Sequence, residues 1–170
     1  MLLKIWPFKS KKRQQYGKNR GNAAIEFAIV APVFFTLLLG IFELGAIMLV
    51  KSSLEIAILQ VSRFGRTGAI VAGQTQQQTA TSLAATYSLG LVDATKLKLT
   101  VTPYASFSAM PSPSQFPTNG TQNFGTGNQP VLYTLSYDWP FFTPFIGQLL
   151  SSNGTSMTLT ASTVVENEPF

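Results

Sequence analysis

The chain carries one hydrophobic stretch that differs from all others. From Phe27 to Val50 it reads FAIVAPVFFTLLLGIFELGAIMLV, apolar on every side, with one charge at Glu43. A helix rises ~1.5 Å per residue, so the run reaches about 36 Å, enough to cross a ~30 Å hydrocarbon core with some tilt. A helix in a soluble core keeps a polar face; the lack of one predicts a membrane span. Pro32, Gly40 and Gly45 are tolerated in such a helix, and Pro32 marks a site for a kink. After Val50 the pattern turns amphipathic. Leu54, Ala57, Ile58, Val61 and Gly65 recur at helical spacing, with Glu55, Gln60, Ser62, Arg63 and Arg66 between them. The helix is therefore expected to run on to about Ile70, its apolar stripe turned toward an outer domain.

Beyond Gly73 a second helix is expected over 75–88, polar at its start and apolar at Leu83, Ala84, Tyr87 and Leu91. Lys96 to Thr102 alternates with period two, setting Leu97, Leu99 and Val101 against Lys96, Lys98, Thr100 and Thr102, which predicts a half-buried strand. Residues 103–130 are rich in Ser, Pro, Gly, Asn and Thr and have no period; such loops are functional or disordered. VLYTLSYDW (131–139) is a second strand stopped by Pro140. FFTPFIGQLL is a short helix with Pro144 in its first turn, and SMTLTASTVV (156–165) is a third strand. The fold class expected is α+β. A long N-terminal helix, half transmembrane and half amphipathic, packs on a small antiparallel sheet of about three strands, with one or two short helices.

Charge gives the span a direction. Before Asn22 there are seven basic residues and no acidic one; from Asn22 on there are five basic and seven acidic, a net of −2. A basic tail can bind nucleic acid. Set directly before an apolar run, it instead places the N-terminus in the cytoplasm and the residues after Lys51 outside. With 45% hydrophobic and 11% charged residues the composition suits a membrane-attached protein. No cysteine and no histidine occur, which excludes disulfides, thiolate metal sites and the commonest general base. No enzyme, metal or cofactor is expected. Asp93, Asp138, Glu166 and Glu168 are scattered or terminal and show no spacing suited to a membrane-anchored hydrolase. A cleaved secretory signal is the rival reading of the apolar run, but LGAIMLVKSSLE carries no A-x-A site.

Two acidic residues break the rules of a span: Glu26 at its cytoplasmic boundary and Glu43 within it. A carboxylate in hydrocarbon costs several kcal/mol unless paired, neutralised or snorkelled. Glu43 is thus a candidate contact to a partner group within the membrane, with a protonated or locally hydrated carboxyl as the plainer alternative.

RGNAAIEFAIVAPVFF resembles the processing site of Flp-type pilins and Tad pseudopilins: a basic leader, a glycine, small residues, Glu followed by an aromatic, then a long apolar run. The likeness to TadE-like pseudopilins continues through LLLGIFELG and RFGRTG, and VVENEPF is similar to the end of those proteins. The resemblance implies cleavage by a prepilin peptidase between Gly21 and Asn22. Glu26 and Phe27 would then serve recognition and subunit register, the Glu26 carboxylate attracting the new α-amine of a neighbouring subunit. It divides the chain into a basic cytoplasmic leader (1–21), a transmembrane helix (22–50) and an extracytoplasmic α+β domain (51–170) containing the irregular loop 103–130. The implied location is the bacterial inner membrane, crossed once, with incorporation in the pilus. The implied partners are the peptidase, a TadF-like pseudopilin, an Flp-type major pilin, the inner-membrane assembly platform and lipid, but no nucleic acid. The implied role is that of a minor subunit, since a head of roughly 100 residues does not suit the short major pilins. A type II secretion pseudopilin is a near neighbour of this reading. An uncleaved bitopic protein with an extracytoplasmic binding domain is the alternative.

Overall fold

The computed structural model describes residues 20–169. The expected basic leader lies outside them, apart from its last two positions. The elements are α1 (Arg20–Arg66), α2 (Gln76–Tyr87), β1 (Lys98–Pro103), β2 (Pro130–Pro140), α3 (Pro144–Leu150) and β3 (Ser156–Glu166), with single 3-10 turns at Ala94–Lys96, Phe107–Ala109 and Pro113–Gln115. The architecture is α+β, as the hydrophobic pattern predicts. The chain forms two compact units, divided within α1 between Leu38 and Leu39.

The first unit, from Gly21 to Leu38 in its described part, is helix alone. Its large apolar side chains are exposed around the whole circumference; Phe27 is 66% and Ile29 70% exposed. Pro32 leaves the helix unbroken, and the Thr36 hydroxyl donates to the Pro32 carbonyl oxygen at 2.8 Å.

The second unit holds the rest of α1 and everything after it. Its sheet is antiparallel with order β1-β2-β3. Period two puts Val131, Tyr133, Leu135, Tyr137 and Trp139 on one face of β2. Register sets Leu135 beside Leu99 and Ala161, and Tyr137 beside Leu159. This face packs into one core with Ile47, Val50, Leu54, Ala57, Ile58 and Val61 of α1 and with Ala80 and Ala84 of α2. Each large aliphatic side chain so buried contributes about 1.5–3 kcal/mol relative to exposure. The opposite face carries Thr100, Thr134 and Ser136, all buried, and the Ser162 hydroxyl donates to Thr134 Oγ1.

Residues 103–130 form an ordered cover for that second face and for the outer edge of β1. The Val101 N–H donates to the Thr121 carbonyl, the Asn123 N–H donates to the Val101 carbonyl, and the Ser136 hydroxyl donates to the Thr118 carbonyl. Pairing along β1 occupies a strand edge that would otherwise invite association. The segment then turns inward, and Phe124 enters the core beside Tyr133, ring centroids 6.1 Å apart.

Two boundaries differ from expectation for local reasons. α1 stops at Arg66 rather than near Ile70, because the Thr67 hydroxyl and the Gly68 N–H close onto the Phe64 and Gly65 carbonyls. β1 starts at Lys98 rather than Lys96, because Asp93 Oδ1 accepts the Thr95 N–H and holds residues 94–96 in a 3-10 turn.

Candidate functional site

The residues singled out by sequence all lie on α1. Gly21 and Asn22 occupy its first turn and are exposed, with open space around Gly21. Glu26 and Phe27 follow within two turns, both exposed. These four form one group on the first unit. Glu43 comes seventeen residues after Glu26 and lies in the second unit.

Glu43 is 3% exposed, and its carboxylate is held within its own chain. Oε1 accepts the Phe142 N–H at 2.6 Å and Oε2 accepts the Thr143 N–H at 2.9 Å. The sequence explains why donors are waiting there. Pro140 ends β2, and Thr143 becomes the N-cap of α3 with Pro144 in its first turn. A helix start leaves N–H groups without helical partners, and Thr143 makes no side-chain cap of its own. The Glu43 carboxylate accepts the N–H of Thr143 and of Phe142 just before it, and the helix dipole favours a negative charge there. One turn earlier on the same face, Gly40 lets α3 come close: a Cβ there would lie 2.9 Å from Ile146 Cδ1. Gly40 and Glu43, three apart on one face, thus hold α3 and the turn before it. An open cleft of about 260 Å³ beside Glu43 is lined by Leu39, Phe42, Ala46, Phe142 and Thr143.

A second lock joins the two remaining motifs. Tyr133 stands over Gly65, where a Cβ would lie 2.8 Å from the ring carbon Cζ. The Tyr133 hydroxyl is buried without a partner among the described residues, and burial pushes its pKa up. The Glu168 N–H donates to the Arg66 carbonyl at 2.9 Å, and the Arg66 guanidinium pairs with the Glu168 carboxylate at 2.8 Å, both side chains half exposed. Asn167 is buried, and its Nδ2 donates to the Phe124 and Thr126 carbonyls at 2.8 and 3.0 Å. RFGRTG and VVENEPF are thus one structural contact, made by residues about a hundred positions apart.

The other carboxylates are spread over the surface. Asp138 accepts from Thr158 at 2.6 Å and from Lys98 at 2.9 Å. The Thr158 hydroxyl, and then the Lys98 ammonium, hold its carboxyl below the usual range. Asp93 serves its own turn with Thr95, and Glu166 pairs in register with Pro130, at the far end of β2 from Asp138.

The sequence pattern puts Gly65 on the inward stripe of α1, but it does not reveal the contacts of Gly40, Asn167 or the backbone of 142–143. The signal was present as short motifs, LLLGIFELG, RFGRTG and VVENEPF, but nothing local says which distant backbone each one meets.

The family model of TadE-like proteins matches residues 21–63, that is, α1 almost from end to end. No curated protein and no solved structure matches the chain. The match takes in Gly21, Asn22, Glu26, Phe27, Gly40 and Glu43, and ends just before Gly65. Among the described residues one helix, Gly21–Arg66, is long and apolar enough to cross a membrane.

Proposed function

We infer, from the premise that the chain is TadE-like over 21–63 and that this family comprises Tad pilus assembly components not known as enzymes, that the protein is a minor pilin-like subunit. A prepilin peptidase cuts it between Gly21 and Asn22, and the apolar part of α1 then joins other pilin-like subunits. The observation that carries this reading is the coincidence of three features on one element: the family match, the GNAAIEF sequence in the first two turns, and the apolar circumference behind it.

The chemistry follows from those residues. The scissile bond lies in the first described turn of α1, with open space around Gly21. Cleavage creates an α-ammonium at Asn22. Glu26 of one subunit and the amine of another attract by about 4 kcal/mol at 4 Å and an effective dielectric of 20. Pairing also offsets the desolvation each charge would otherwise carry alone, which fixes axial register. Before assembly the protein sits in the inner membrane, leader in the cytoplasm and residues 51–170 outside, a direction supported by the basic residues before Asn22. The peptidase, a TadF-like pseudopilin, an Flp-type major pilin and the assembly platform are the partners this reading requires.

The test is the N-terminal sequence of membrane-purified protein, with and without the cognate peptidase. A start at Asn22 only with the peptidase supports the reading. A start at Met1 in both conditions replaces it with an uncleaved bitopic protein, and a start beyond Ala46 replaces it with a secreted one.

A further inference from the structure

We propose that α3 and the turn before it form a second membrane contact, lying in the outer lipid interface beside α1; this rests on the membrane reading above. Phe142 is 72%, Phe145 52%, Leu149 64% and Leu150 45% exposed, an outward apolar surface on a helix of seven residues. No charged residue occurs from Trp139 to Ser151. A water-facing helix of a soluble head has no reason to turn these side chains outward, and a patch of this kind marks an interaction surface.

The contacts of α3 say what that surface meets. Gly40 against Ile146, and Glu43 against the N–H groups of Phe142 and Thr143, fix α3 at the level of residues 40–43 of α1. At the same level α1 exposes Leu39, Ile41, Phe42 and Leu44, so the two elements make one apolar surface. Along α1, residues 21–39 are exposed at nearly every position. That is 19 residues, about 28 Å of helix, close to the ~30 Å of a hydrocarbon core. The proposed outer boundary of the lipid therefore moves from Val50, where the hydrophobic run ends, down to Leu39–Glu43, where α3 is pinned. The only carboxylate at this level is turned inward and bonded. The first cation after it on α1, Lys51, stands about 12 Å farther along, within reach of headgroups. Short amphipathic elements with aromatic residues bury their apolar side at this depth. The cleft of about 260 Å³ between them opens beside Phe42 and Phe142 and suits the upper part of an acyl chain.

The chain has no cysteine, so single-site spin labels need no background removal. Full-length protein is labelled at Phe145→Cys or Leu149→Cys, with Val33→Cys as the span control and Thr81→Cys on exposed α2 as the water control. Each is placed in vesicles of phosphatidylethanolamine and phosphatidylglycerol. The ratio of oxygen to nickel-chelate accessibility is expected to be several-fold higher at Phe145 and Leu149 than at Thr81, approaching that at Val33. Two sites one turn apart report independently, so loss of folding in one leaves the other. A water-like ratio at both, with Val33 lipid-like, overturns the proposal and leaves the span reading standing. A water-like ratio at Val33 as well overturns both. Shielding of Phe145 and Leu149 from both reagents, with spin–spin broadening, means a second copy covers the surface and overturns the lipid assignment.

Discussion

Removing the Glu43 carboxylate is the sharpest perturbation of the lower lock. Glu43→Ala deletes both acceptors of the Phe142 and Thr143 N–H groups, at 2.6 and 2.9 Å. A hydrogen bond to a charged group contributes about 1.5–3 kcal/mol, and each buried N–H left without a partner costs about 1–3 kcal/mol. These overlap, and the variant also escapes the desolvation of a carboxylate 3% exposed, so the terms do not add. The net loss expected is about 2–4 kcal/mol. Glu43→Gln keeps one carbonyl acceptor but turns an amide donor toward the other N–H, so it should lose about half as much or more. The assay is hydrogen exchange at the Phe142 and Thr143 amides of the full chain in micelles, beside its denaturant midpoint. A 2 kcal/mol loss corresponds to roughly a 30-fold rise in exchange. Glu55→Ala, on the exposed side of the same helix, should stay within about 0.5 kcal/mol of the parent. Unchanged exchange at both amides in Glu43→Ala, with an unchanged midpoint, would refute the claim that this carboxylate holds α3 on α1.

The upper lock gives a coupled pair. Gly65→Ala forces a Cβ against the Tyr133 ring and should cost about 1–3 kcal/mol, while Tyr133→Phe removes an unpartnered buried hydroxyl and should be neutral or stabilising. The double variant should lose less than Gly65→Ala alone, and strict additivity of midpoints would contradict the contact. Asn167→Ala strips the buried Phe124 carbonyl and the part-buried Thr126 carbonyl of their donor and should cost about 1–3 kcal/mol, whereas Glu168→Ala breaks a half-exposed ion pair worth about 0.2–1 kcal/mol and fading with salt. Equal midpoint shifts for the two variants would show that burial does not set their order. The folded-state pKa of Asp138 is depressed, so its contribution is fully present above the unfolded value near 3.8 and is lost as pH falls through the lower folded value. The side chain is 46% exposed, so that contribution is at most about 1 kcal/mol. Stability of parent and Asp138→Asn should differ at pH 6, and the difference should shrink as pH falls through the depressed folded value; a constant difference would exclude the carboxylate as its source.

The elements were readable because each rests on a local period. Period two over 131–139 and 156–165 fixed both strands and the inward face of Val131, Tyr133, Leu135 and Tyr137, and the helical spacing of Leu54, Ala57, Ile58 and Val61 fixed the buried stripe of α1. What was not readable depends on backbone partners distant in sequence. Glu43 looked like a charge in search of another subunit, because its donors are main-chain N–H groups about a hundred residues away, and a main chain has no sequence signature. The loop 103–130 looked aperiodic because it follows the sheet through single hydrogen bonds rather than a ladder. The roles proposed for Gly21, Asn22, Glu26 and Phe27 involve other molecules, so they rest on the processing experiment rather than on the fold of one chain.

Intramolecular packing leaves only part of α1 open to the neighbouring subunits proposed above. From Gly40 to Gly65 one face is taken by the chain's own sheet and by α2 and α3. Ile41, Leu44, Met48, Ile56 and Leu59 remain exposed on the other side, the last two past Lys51 and well beyond the proposed lipid boundary. An exposed Leu59 makes little contribution to its own fold, so Leu59→Lys should change stability by less than about 0.5 kcal/mol. If subunits pack through this stripe, the same change buries an ammonium in an apolar contact, costing several kcal/mol there. The variant should therefore be processed and retained in membranes like the parent, yet be depleted at least ~10-fold from sheared filaments relative to the membrane pool. Parent-like recovery in filaments would mean that neighbours meet the subunit only through residues before Gly40, and that the exposed stripe above faces water.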